Sequence, residues 1–250
     1  GRSCSAPFFM VERIKKVMFK RNKDIVIQTN EIPVDILKNF LLTFPHNMPK
    51  YFKDIPATFF DNQKRPIRSK KSVRSCSGFI NLFKRSILFT SPYDIELFIE
   101  NGEIRGSVGG SNWNRYIQHH ADWQFIDYVK SDWEMILKFM PFFNIRSPYN
   151  LIISDPWWHM NNFQVIPGMV NCKEPLDLNI FIPIKKGQNH LYIPQGTPLA
   201  CINFETDNQL NLVYRNKNYR YSDWMGLHYT FSNLKRKLVK NIVNKTLYKE

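Results

Sequence analysis

Residues 163–204, FQVIPGMVNCKEPLDLNIFIPIKKGQNHLYIPQGTPLACINF, constrain the fold more than any other stretch. Short apolar runs are parted there by Pro and Gly, the punctuation of strands that turn rather than continue. Pro194 and Pro198 fix φ and withhold backbone donors, and Gly196 supplies a positive φ where the corner needs one. A chain that closes this way is expected to build a β core.

From residue 75 the pattern also reads as strands. Cys76-Ser77-Gly78-Phe79-Ile80-Asn81-Leu82-Phe83 leads into Ser86-Ile87-Leu88-Phe89-Thr90. In the next run Tyr93, Ile95, Leu97 and Ile99 share one face, with Asp94 and Glu96 on the other, the alternation of a half-buried strand. Asn101-Gly102 is a hairpin pair, so a return strand is expected at 103–105 and a flexible Gly/Ser stretch at 106–111. Phe89-Thr90-Ser91-Pro92-Tyr93-Asp94-Ile95 is echoed by Ile145-Arg146-Ser147-Pro148-Tyr149-Asn150-Leu151, which suggests two related layers of one β structure. Between the copies, residues 113–140 fit strands or a short helix. Residues 152–162, IISDPWWHMNN, read as a long aromatic loop, and 210–214 as a last strand.

Two helices are expected outside this core. Near the start, after a strand at 24–28, Asn30 is placed to cap a short helix with Pro33 in its first turn and Ile36, Leu37, Phe40 and Leu41 at helical spacing. At the end, Ser232 is placed to cap a helix whose stripe is Leu234, Leu238, Ile242 and Leu247. That stripe fits docking on its own domain or on a neighbour equally well.

Charge separates these regions. The formal charge is +14, yet residues 1–85 carry 18 Lys and Arg against 6 Asp and Glu, 86–214 carry 8 against 13, and 215–250 carry 9 against 2. A mildly acidic centre between basic flanks suits contact with an acidic protein face or nucleic acid, and it equally keeps an aromatic-rich chain soluble. The candidate contact residues are Lys64, Arg65, Arg68, Lys70 and Lys71 in the first flank and Lys235, Arg236, Lys237 and Lys240 in the second. The first set reads as an exposed connection or as a phosphate-binding loop.

A hydrophobic content of 43% with 15% aromatics excludes a disordered chain. No apolar run reaches the roughly 18 residues of a membrane span, so no membrane partner is expected. The start lacks the order of a signal peptide. Cys4, Cys76, Cys172 and Cys201 stand far apart without a C-x-x-C pair, which favours idle thiols in a reducing compartment over a disulfide frame or zinc site. His120-Ala121-Asp122 has the H-x-D spacing of an iron and 2-oxoglutarate oxygenase, with His190 or His228 able to complete a two-His, one-carboxylate set. Residues 193–202 offer no basic partner for that cosubstrate. Neither a Walker loop nor a G-x-S-x-G elbow nor H-E-x-x-H is present.

Two resemblances follow from these residues. Val165-Ile166-Pro167-Gly168-Met169-Val170-Asn171 and Ile193-Pro194-Gln195-Gly196-Thr197-Pro198-Leu199-Ala200-Cys201-Ile202 resemble the closing strands of dUTPase-like β-clip folds. Asn171 stands where that family's catalytic Asp would fall and Cys201 where its Gln would be, so the resemblance implies fold without activity. Over residues 75–205 the chain more closely resembles uncharacterised β-rich proteins of tailed phages and some bacteria. Cys76-Ser77-Gly78-Phe79-Ile80, Ser91-Pro92-Tyr93-Asp94-Ile95-Glu96, Ser147-Pro148-Tyr149, Ile166-Pro167-Gly168 and Gly196-Thr197-Pro198-Leu199 carry that likeness.

The expectation is a mainly β protein: an antiparallel β-sandwich or β-clip-like core at 75–214, a basic arm with a short helix at 1–74, and a basic amphipathic helix at 215–250. The resemblance implies shared fold and phage origin. With the β core, the missing catalytic sets and the charged flanks, the expectation is a noncatalytic phage structural or accessory protein that contacts its neighbours through the basic flanks, in the virion or in host cytoplasm during infection. Its expected partners are other phage structural proteins or itself, with no cofactor. The alternatives are an iron or nucleotide-directed enzyme, with His120, Asp122 and His190 as metal ligands, and a nucleic-acid-binding accessory protein.

Overall fold

The computed structural model describes residues 24–29, 32–56, 58–120, 132–141, 143–173 and 175–216. In chain order its strands begin with β1 (Ile25–Thr29), β2 (Leu41–Leu42), β3 (Thr58–Phe60), β4 (Pro66–Lys71), β5 (Ser86–Thr90) and β6 (Ile95–Glu100). They continue with β7 (Glu103–Val108), β8 (Ser111–Asn112), β9 (Ile117–His119), β10 (Trp133–Phe139), β11 (Phe143–Arg146) and β12 (Asn150–Ser154). The last are β13 (Gly168–Asn171), β14 (Leu176–Asp177), β15 (Ile180–Lys185), β16 (His190–Ile193), β17 (Pro198–Phe204) and β18 (Leu212–Asn216).

These strands form a central sheet, β13-β12-β17-β5-β2, and three more, β14-β11-β1-β18, β15-β10-β9 and β16-β6-β7-β8, with β3 and β4 as a separate ribbon. Every described pairing is antiparallel except β1 with β18. The protein is therefore mainly β, as expected.

One apolar cluster joins the four sheets. Ile27 of β1, Phe89 of β5, Leu97 of β6, Phe139 of β10, Ile145 of β11 and Ile202 of β17 all belong to it and are buried. Phe89 meets Phe143 edge-on at 5.3 Å between centroids, a favoured aromatic geometry. Strand β6 shows how sequence becomes layer: Ile95, Leu97 and Ile99 are buried while Glu96, Phe98 and Glu100 alternate outward. Asn101 and Gly102, at φ 52° and 79°, then make the two-residue turn into β7.

The Pro/Gly corner is a change of sheet. Gly196 adopts φ 81° between β16 and β17, which belong to different sheets. Its amide donates to the Ser91 carbonyl at 2.8 Å, and the Ser91 amide donates to the Thr197 carbonyl at 2.7 Å. Both Ser-Pro-Tyr copies do the same job: Ser91-Pro92-Tyr93 carries the chain from β5 to β6, and Ser147-Pro148-Tyr149 from β11 to β12, each a step between sheets. The Ser147 amide donates to the Cys172 carbonyl at 2.7 Å, matching the Ser91 contact. Both serines are buried and use their hydroxyls on the neighbouring Tyr backbone. The sequence echo thus has one physical cause, a buried serine that satisfies the backbone where a strand leaves its ladder.

Several expectations change. Residues 77–84 are a helix, Ser77–Lys84, where a strand was expected: Phe79 and Phe83, four apart, bury one face of it. Residues 106–111 are largely β7 and β8 rather than a flexible stretch, and a Cβ at Gly106 would lie 2.0 Å from the Glu96 carbonyl oxygen. The early helix is Val34–Lys38, with Pro33 at the flanking position and no side-chain cap. The segment expected as a basic arm also supplies core strands, since β1 lies between β11 and β18 with Ile25 and Ile27 fully buried. Within 113–140 the described elements are β9, β10 and a single 3-10 turn, Trp113–Arg115. Asn30, the expected tail helix and Lys235, Arg236, Lys237 and Lys240 lie outside the described residues. No helix among the described residues is long and apolar enough to cross a membrane.

Candidate interaction site on the second face of the central sheet

The central sheet is covered on both sides. Strand alternation sends Ile87, Phe89, Leu151, Ile153, Ala200 and Ile202 into the main cluster. It sends Ser86, Leu88, Ser154, Cys201 and Asn203 to the opposite face, where they are also buried. That second face is polar. Cys201 Sγ donates to Asn203 Oδ1 at 3.7 Å, and Asn203 Nδ2 donates to Ser154 Oγ at 3.5 Å. Buried polar groups in such a layer need partners, and here they find one another.

A lobe built from residues 43–85 roofs this layer. Asn47, almost fully buried, donates from Nδ2 to the Phe83 carbonyl at 2.7 Å, the Ser86 carbonyl at 3.0 Å and Ser86 Oγ at 3.1 Å. The lobe has a small core of its own, in which Phe52 stacks on Phe79 at 4.6 Å and Phe83 packs at 4.9 Å from Phe79. Trp158, from the aromatic loop after β12, sets its ring edge-on to Phe79 at 5.0 Å.

That loop is fixed at four points. Asp155 accepts from the Val165 amide, Tyr51 Oη donates to the Trp158 carbonyl at 2.7 Å, and Asn161 Nδ2 donates to the Pro198 carbonyl at 2.6 Å. His159 Nε2 lies 3.3 Å from the Asn47 carbonyl oxygen. Trp158 and Met160 adopt φ 69° and 53°, left-handed conformations that non-glycine residues rarely take, so these contacts hold a strained segment in place. Trp157, Trp158 and Met160 of this loop are exposed, Met160 at 87%, as are Phe44 and Tyr51 of the lobe.

Within the same stretch of chain lies the β3–β4 ribbon. Its base is clamped by Arg74, whose Nη1 donates to the Lys53 carbonyl at 3.1 Å and the Ile55 carbonyl at 3.2 Å. Its tip is closed by Asp61, which accepts from the Gln63 and Arg65 amides at 2.9 and 2.8 Å and pairs with Arg65 Nε at 2.9 Å. The Arg65 amide is the largest cause holding the Asp61 carboxyl below its ordinary pKa. Lys64 occupies the tip at φ 59°, and Arg68, Lys70 and Lys71 lie on β4. On β3, Phe59 and Phe60 are exposed, Phe60 at 61%. The basic residues expected in the first flank therefore share one hairpin.

The buried groups behave as structural polar atoms. Burial pushes the thiols of Cys201 and Cys172 up to about 11, so both are protonated at neutral pH rather than nucleophilic thiolates. Burial also pushes His159 below its ordinary value, which leaves it neutral with Nε2–H toward the Asn47 carbonyl. Of the residues considered for iron, His120 and His190 lie at different sheets, and His228 lies outside the described residues. His120 follows β9 and meets Phe181 edge-on at 4.9 Å. His190, on β16, stacks on Phe98 at 4.8 Å with Nε2 3.4 Å from Glu96 Oε1. Asp122 lies outside the described residues, and among those described no three His, Cys, Asp or Glu assemble a metal site. Asn171 ends β13 and accepts from the Lys173 amide at 3.2 Å.

Asn47, Arg74 and Phe52 had no signature in the sequence, because their partners are distant in the chain. The Trp-Trp-His-Met run was visible as aromatic density alone. No family model, curated protein or solved structure matches the chain.

Proposed function

We propose that this chain is a noncatalytic structural or accessory component of a tailed-phage particle, and that it grips a neighbouring protein through the β3–β4 ribbon. The observation that carries the reading is the exposure of Phe60 on a hairpin that pairs with no other described strand and has Lys64 and Arg65 at its tip. An exposed aromatic beside cations is the composition of an interface anchor with a charged rim. The likeness of residues 75–205 to phage-encoded β proteins supplies the setting, in the virion or in host cytoplasm during infection.

Mass spectrometry of purified particles from a phage encoding this chain is the test. The expected result is the chain present in particles, with Phe60→Asp and the Lys64→Glu, Arg65→Glu pair lowering its incorporation. Absence from particles removes the virion role. The same ribbon also fits nucleic acid, where aromatic stacking joins cationic contact. Oligonucleotide binding that falls steeply with salt, without particle incorporation, would move the function there.

A further inference from the structure

A cavity of about 220 Å³ opens between the 44–53 segment and the helix Ser77–Lys84. Phe44, Met48, Phe52 and Ile80 make its apolar floor, and Lys53 and Arg74 stand in its wall. The volume falls below the roughly 300–1,000 Å³ of small-molecule sites, so it suits a single large side chain better than a cofactor. Lys53 and Arg74 are exposed at the wall, Lys50 is exposed on the same 3-10 turn, and Lys84 Nζ lies 5.7 Å from the Phe44 ring centroid. Asp54 is the acid adjoining them in sequence, so the rim keeps a positive excess. Arg74 is held in place by its bonds to the Lys53 and Ile55 carbonyls, which preorganises its fork at the mouth.

We infer that this notch docks an acidic peptide segment of a partner protein, with one large apolar side chain seated on the floor and carboxylates against Lys53 and Arg74. Charge selects this occupant. The chain's own segments 1–23 and 217–250 are strongly basic and would meet like charge at the rim. Nucleic acid would satisfy the cations and leave the floor unused. The notch differs from the ribbon surface and extends the protein's contacts to a second, chemically distinct partner element. It depends on the ribbon reading only in that both place the protein in an assembly.

The test uses the full chain and a fluorescent twelve-residue Asp/Glu peptide carrying one central Phe, read by polarisation at low salt. The Phe peptide is expected to bind, with roughly tenfold weaker binding when its Phe is replaced by Ala. Lys53→Glu is expected to weaken binding at least as much while leaving the thermal midpoint unchanged, since Lys53 is exposed and serves the clamp through its backbone carbonyl. Equal binding of the Phe and Ala peptides, preference for a Lys peptide, or indifference to Lys53→Glu would overturn the inference. So would self-association seen by sedimentation that the Phe peptide competes away, because the floor would then belong to a second copy. The ribbon variant Phe60→Asp should bind the peptide normally, which separates failure of this inference from failure of the proposed function.

Discussion

His159 Nε2 lies 3.3 Å from the carbonyl oxygen of Asn47, a residue 112 positions earlier in the chain. This contact ties the aromatic loop to the lobe that roofs the central sheet. Burial lowers the imidazole pKa, so the unfolded chain takes up a proton before the native one does. Stability should therefore decline as pH falls below about 6.5 and through the native pKa. Thermal midpoints between pH 7 and pH 5 should drop more for the parent than for His159→Gln, and parallel curves would refute the assignment.

Asp155 works in the opposite sense. Burial raises its carboxyl above the ordinary value of 3.8, so the native state protonates first and stability is lost as pH rises through its native pKa. Asp155→Asn keeps an oxygen to accept from the Val165 amide and removes that charge. Urea midpoints should show the variant gaining on the parent from pH 4 to pH 7. An unchanged difference between the two proteins would exclude the carboxyl as the source.

Asn47 holds the lobe to the sheet with three donor contacts, two to Phe83 and Ser86 carbonyls and one to Ser86 Oγ. Asn47→Leu should cost about 2–3 kcal/mol, because acceptors are left buried without their donor. Urea unfolding monitored by tryptophan emission measures this, and a loss under about 0.5 kcal/mol would place Asn47 at the margin of the fold.

Two glycines should respond very differently. Gly106 sits at φ 143° where a Cβ would meet the Glu96 carbonyl oxygen at 2.0 Å, so Gly106→Ala must force β6 and β7 apart and should cost more than about 3 kcal/mol. Gly102 has φ 79° and open space around it, so Gly102→Ala should cost about 1 kcal/mol from backbone strain alone. Equal losses in chemical denaturation would contradict the packing at Gly106.

The thiols should separate by burial. Cys76 is exposed, whereas Cys172 and Cys201 are buried with pKa values pushed to about 11. Iodoacetamide at pH 8 should label Cys76 in the native protein and reach Cys172 and Cys201 only after urea is added. Native labelling of Cys201, mapped by peptide mass, would mean that the lobe opens readily.

Legibility in the sequence tracked the range of the forces involved. The alternation of Ile95, Leu97 and Ile99 and the Asn101-Gly102 turn are local, so β6 and its hairpin could be read directly. The helix Ser77–Lys84 could not, because Phe79 and Phe83 bury against Phe52, more than twenty positions away, and an apolar run that short fits either period. The basic run at 64–71 was visible as charge, while its place in a ribbon rooted by Arg74 depends on carbonyls at 53 and 55. Asn47 is the extreme case: it is one unremarked polar residue in sequence, and its partners lie 36 and 39 positions on.

The parallel pairing of β1 with β18 sets where the chain enters and leaves this sheet. Because both strands run the same way, the chain enters β1 at one end of the pair and leaves β18 at the other. Strands of five residues separate those points by about 16 Å. Segments 1–23 and 217–250, both positive in net charge, therefore join the β1–β18 pair at opposite ends of it.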